Sequence, residues 1–142
     1  MDTLIAPVLA LAAWTFLIGL CMFAARIATM GGHGPAPKTG EQAHAMYGTL
    51  PPMVRNINAN FNHLHEQPTL FYAVALALQY LQGATQVALG LAWAYVALRV
   101  LHSFVQIFGD RVGPRFNIFM LSFFALIGLL AVAGLRLFGV VV

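Results

Sequence analysis

The chain has 142 residues, 61% of them hydrophobic and 8% charged, with a formal net charge of +3 and a mean hydropathy of +0.82. One domain's worth of chain with this composition excludes disorder and does not suit an ordinary soluble core. The seven Lys and Arg are scattered rather than massed, which excludes a nucleic-acid surface, and the single cysteine, Cys21, excludes an intramolecular disulfide and a Cys-based metal site.

Crossing the hydrocarbon of a bilayer takes roughly 20 apolar residues as a helix. Leu4 to Ala25 carries no charge and predicts a first helix over about 4–29. Its leading residues include Asp2 rather than Lys or Arg, and no small-residue cleavage pattern precedes Arg26, so it reads as a retained helix and not a signal peptide. The stretch GGHGPAPKTGEQAHAMYGTLPP follows; rich in Gly and Pro, it predicts an irregular loop. Gln67 to Leu98 is again uncharged and holds most of two spans, predicted at about 57–82 and 85–109, with a tight turn at Gln82-Gly83-Ala84 between them. GDRVGP ends the third helix, and Pro114 opens a fourth over about 114–138. The expectation is an all-α, single-domain integral membrane protein, a transmembrane four-helix bundle. Arg26, Lys38, Arg55, Arg111 and Arg115 flank the first and third connections and only Arg136 lies opposite, so those connections are expected in the cytoplasm and both termini outside it.

The polar residues gather at the same end. In NANFNHLHEQPTLFY (59–73), Ile57, Phe61, Leu64 and Pro68 form one apolar helical stripe, flanked by Asn58/Asn62/Glu66 and by Asn60/His63/Gln67. Pro68 leaves the carbonyl of Leu64 without its helical partner. The third helix carries Tyr95, Arg99, His102, Ser103 and Gln106 on one face. Arg99 is the deepest cation and Glu66 the one carboxylate at comparable depth, so a Glu66–Arg99 pair is expected; such a pair serves packing as readily as function. On the first helix, Thr15, Gly19, Met22 and Arg26 share a line. Each arginine alone reads as an interfacial anchor. Arg26, Arg55, Arg99 and Arg115 together, against Glu66, leave an excess of positive charge that suits an anionic ligand. The pattern H-x-H-E is no metal motif, because His63 and His65 point about 200° apart on a helix. A set of His63, Glu66 and His102 is open geometrically, but no metal is expected.

These residues resemble the MAPEG superfamily, the membrane-associated proteins of eicosanoid and glutathione metabolism, in a divergent bacterial-type form. The resemblance rests on Asn62 and Glu66 in the polar opening, on PTLFYAVALAL, and on WAYVALRVLHSFVQIFGDRVGPRF with Arg99-x-x-His102 and Arg115. It implies a homotrimer in an inner membrane, with glutathione bound between subunits at the cytoplasmic side and used as co-substrate against lipophilic small molecules. It places Arg26, Asn62, His63, Glu66, Arg99, His102 and Gln106 at glutathione or ion-pair positions and Arg115 as the group that stabilises the thiolate. The chain departs from the pattern at His63, where the family has asparagine, at Gln106, where tyrosine is frequent, and at Phe116, where a small hydroxyl residue can occur. Three functions compete: a glutathione transferase or peroxidase; a non-catalytic protein of the same fold that binds another anion or a partner; and a small proton-coupled exporter using Glu66. A Glu66 tightly paired with Arg99 would argue against the last.

Overall fold

The computed structural model describes residues 3–30, 37–109 and 111–140. Among them the secondary structure is helical throughout: α1 (Ile5–Met30), α2 (Gly40–Thr49), α3 (Pro52–His63), α4 (Gln67–Tyr80), α5 (Gln86–Phe104), a π-helical turn (Val105–Gly109) and α6 (Val112–Leu137). Three stretches are long and apolar enough to cross a membrane: Ile5–Thr29, Gln86–Gly109 and Val112–Leu137. Each presents large apolar side chains outward, among them Phe16 and Phe23 on α1, Trp93 on α5, and Phe124 and Ile127 on α6. Such faces suit lipid or another copy of the chain rather than water.

α3 and α4 lie antiparallel along α1. Arg26 near the end of α1 donates to Asn58 Oδ1, Phe61 sits against Gly19, and at the start of α1 the Leu4 amide donates to Gln79 Oε1 at 2.7 Å. A Cβ on Gly19 would stand 2.9 Å from the Phe61 ring, so a glycine is what admits that aromatic. The core runs up the middle through Leu4 just ahead of α1, Leu11 and Ile18 of α1, Phe71, Ala75 and Leu78 of α4, Ala88, Ala92, Tyr95 and Val96 of α5, and Ala125, Leu126 and Leu129 of α6.

Two expectations need correction. Residues 57–82 do not form one helix: α3 starts earlier, at Pro52, and the chain breaks over 64–66 before α4. Pro68 has no N–H for the Leu64 carbonyl and its ring would collide with that carbonyl, so the helix stops a turn ahead. The turn is closed by short bonds instead, His65 N to Asn62 O at 2.9 Å and Thr69 Oγ1 to Glu66 O at 2.6 Å. The first connection is not wholly irregular either. Thr39 caps α2 by accepting from Gln42 N at 3.3 Å, and Glu-Gln-Ala-His-Ala-Met behind it are helix-compatible residues; residues 31–36 of that connection lie outside the described ones.

Candidate functional site

The site is built where the break after α3, the end of α5 and the start of α6 meet. α5 has a core face at helical spacing, Tyr95, Arg99, His102 and Ser103, and the π-helical turn carries Gln106 and Ile107 inward after it. π-helical turns occur often at functional sites because the extra residue re-aims the side chains that follow. Ser103 Oγ donates to the Arg99 carbonyl at 3.0 Å and accepts from Trp14 Nε1 at 3.1 Å, which ties this face to α1.

Arg99 is 1% exposed. Its Nε donates to Tyr95 Oη at 3.1 Å, and its guanidinium carbon lies 5.3 Å from the Tyr95 ring centre and 5.1 Å from that of Phe119. Tyr95 in turn reaches Gln67 Oε1 at 3.5 Å and stacks on Phe71. Two aromatic faces and one hydroxyl thus replace a counter-ion, an arrangement open to guanidinium because it is weakly hydrated and stacks well. Arg99 Nη2 is buried without a hydrogen-bond partner. The predicted Glu66–Arg99 pair does not form. Glu66 sits in the break, with its side chain 68% exposed, and accepts from or pairs with His63 Nδ1 at 3.0 Å. The expectation projected a continuous helix through residue 66, and the break turns that carboxylate outward. A deep proton-carrying carboxylate, which the exporter reading required, is therefore absent at Glu66.

His63, His102, Val112, Arg115, Phe116 and Phe119 line a hollow of about 210 Å³. The His63 ring meets His102 edge-on at 4.9 Å between centres and lies nearly parallel to Phe119 at 5.4 Å. Phe119 therefore separates the hollow from Arg99 while touching both. Among the described residues no three His, Cys, Asp or Glu side chains are arranged to hold a metal ion.

The structure brings together His63, Glu66, Arg99, His102 and Arg115. It does not bring in Asn62, which is exposed on the outer side of α3, or Arg26, which is held by the buried Asn58 on the α1 side. Gln106 is buried, and its Oε1 accepts from Asn60 Nδ2 at 3.0 Å. Asn60 was not singled out from the sequence, yet it is fully buried with Oδ1 unpartnered. Its place on the same stripe as His63 and Gln67 was the available signal. Phe119 was missed as well, since one phenylalanine in an apolar helix carries no mark of a cation beneath it.

The sequence model of the MAPEG family matches residues 4–135, nearly the full length. The chain belongs to the MAPEG family. Comparison with curated proteins and with solved structures gives no match in either case. Membership and three membrane-length apolar helices make this MAPEG chain an integral membrane protein.

Proposed function

We propose that this MAPEG protein is a glutathione-dependent membrane transferase or peroxidase acting on lipophilic electrophiles, with Arg115 stabilising the thiolate. The observation that carries the reading is one hollow lined by His63, His102 and Arg115, directly over a buried Arg99 whose Nη2 has no hydrogen-bond partner. A cationic pocket with an unmet buried donor asks for an anion. Glutathione offers two carboxylates, an ammonium and a thiol. In this reading Arg99 adds positive potential from behind Phe119, His102 lines the pocket, Glu66 orients His63, and Arg26 and Asn62, which this protomer does not bring to the hollow, reach the ligand from a neighbouring copy. Arg115 beside sulfur raises the thiolate fraction, since a neighbouring cation favours the charged form of a thiol.

At about 210 Å³ the hollow is smaller than the roughly 300–1,000 Å³ of small-molecule sites. A second copy of the chain supplies the rest, in a homotrimer whose protomers are four-helix bundles. The fourth crossing is the broken α3–α4 leg, which runs beside α1 from Arg26 to Leu4. In this reading the basic flanks and the site face the cytoplasm, and exposed Phe116 and Leu121 line an approach for a lipophilic substrate from the bilayer.

The test is a titration of the purified protein in detergent with glutathione, following thiolate absorbance, for the wild type and Arg115→Ala. A saturable thiolate signal is expected, and the substitution removes it and lowers turnover by about 10²–10³-fold, as for other preorganised charge-stabilising groups. No signal at millimolar glutathione overturns the reading. That outcome would favour the non-catalytic relative, for which the specific support is Gln106: where glutathione-using relatives often carry tyrosine, this side chain is buried and engaged by Asn60.

A further inference from the structure

We infer that His63, held by Glu66, takes the proton of the substrate thiol and returns it to carbon, which makes activated alkenes (α,β-unsaturated carbonyl compounds) the favoured second substrates. The inference rests on the glutathione reading above and assigns a role that Arg115 cannot fill. A guanidinium stabilises a thiolate but has no free lone pair to receive its proton.

The geometry points to His63 in three ways. First, Glu66 Oε2 lies 3.0 Å from Nδ1, so the ring carries its proton on Nδ1 and keeps the lone pair on Nε2. Second, the ring is fixed on its other sides, nearly parallel to Phe119 and edge-on to His102, so Nε2 has one orientation. Third, His63 lines the same hollow as Arg115, which brings acceptor and thiolate-stabilising cation to one space. The charged and titratable groups facing His63 are Glu66 from its own turn, Arg99 and His102 from α5, and Arg115 from α6. Burial and then the two cations disfavour an imidazolium, and the Glu66 carboxylate works against them in part. A carboxylate–histidine pair of this kind orients the base and stabilises its charged form. Neither other histidine nearby has such a partner. His65 Nδ1 is 2.8 Å from the Phe61 carbonyl, and His102 is buried against His63 and Phe119.

The steps balance without an outside reagent. His63 Nε2 receives the proton as the S–H bond breaks, and the electron pair stays on sulfur beside Arg115. Sulfur bonds to the β-carbon of the alkene while the π pair moves onto the carbonyl oxygen as an enolate. His63 then gives its proton to the α-carbon, which restores the ketone and the neutral imidazole. An electrophile that expels chloride needs no such return.

The experiment counts protons released per thiolate formed when glutathione is added to the detergent-purified protein in weakly buffered solution near neutral pH, with a pH-indicator dye. The wild type is expected to release clearly fewer protons per thiolate than His63→Asn and Glu66→Gln, which release about one. Glu66 is exposed, so Glu66→Gln carries the test where His63→Asn fails to fold. The same variants should lose at least about tenfold in the ratio of turnover on an enone to turnover on an aryl chloride. A thiolate signal with one proton released in the wild type overturns the role of His63 and leaves the glutathione reading standing. An unchanged turnover ratio overturns the proton return. No thiolate signal in the wild type overturns both proposals together.

Discussion

At one end of the molecule Gln79 Oε1 accepts from the Leu4 amide at 2.7 Å and from Thr3 Oγ1 at 3.1 Å, and Arg136 donates to the Gln82 carbonyl at 3.0 Å. At the other end Asn60 gives its amide to Gln106 and leaves Oδ1 bare, and Arg99 buries Nη2 with nothing to donate to. The first end joins α4 to α5 by a tight turn and closes helix termini with side chains of neighbouring helices. The second contains a proline-broken helix and a π-helical turn. A buried donor or acceptor left without a partner costs about 1–3 kcal/mol, so the site end forgoes stability that the turn end keeps. Of the three buried side-chain atoms without a partner among the described residues, Asn60 Oδ1 and Arg99 Nη2 lie at the proposed site end and Tyr72 Oη lies on α4.

The largest effect is expected from Arg99→Met, which should separate binding from stability. Glutathione affinity should fall about ten- to hundredfold, the worth of a nearby buried cation to an anion. Thermal stability in detergent should hold or rise, because methionine fills the space between Tyr95 and Phe119 without burying a charge. A steep loss of melting temperature with unchanged affinity would mean that Arg99 serves packing alone, and the contrast between the ends would collapse.

Gly83→Val makes the opposite probe at the turn end. A Cβ there would stand 3.1 Å from Leu78 Cδ1 and from Arg136 Cγ, both side chains already engaged, and the branched methyls crowd further. Overpacking of this kind costs about 1–3 kcal/mol. Thermal denaturation should show that loss, while the glutathione titration should not change. Altered binding would show that the two ends are mechanically coupled.

Most of the frame was legible in the sequence because the signals were long. Runs such as Leu4–Ala25 and Phe116–Leu135 need only composition and length to read as membrane helices. The face Tyr95, Arg99, His102, Ser103 was legible because α5 is regular, so spacing became geometry. The site failed to read wherever regularity stopped. Pro68 was recognised as a defect, but its consequence, a full break that turns Glu66 out and sets it on His63, depends on how the chain is packed. The cation's aromatic partner Phe119 comes from α6, and no pattern within one helix reveals a contact supplied by another. α2 was hidden by its neighbours, since the glycines and prolines before it dominate the composition of that connection.

The smallest effect sharpens the comparison most. Gln82 is the one non-glycine among the described residues with positive φ, at 53°. A left-handed conformation costs an L-residue roughly 1–2 kcal/mol, and glycine removes that cost while adding about 0.5–1 kcal/mol of chain entropy to be lost on folding. The bonds that Gln82 contributes to the turn are made by its backbone, its amide to Gln79 O at 3.1 Å and its carbonyl from Arg136 at 3.0 Å, and both survive the change. Gln82→Gly should therefore stabilise by about 0.5 kcal/mol, a rise of roughly 1–2 °C in melting temperature for a chain of this size. Binding and proton release should stay as in the wild type. A turn end that can be improved at no loss of function is an end shaped by folding alone. If glutathione affinity instead moved with Gln82→Gly, the strain in that turn would belong to the site.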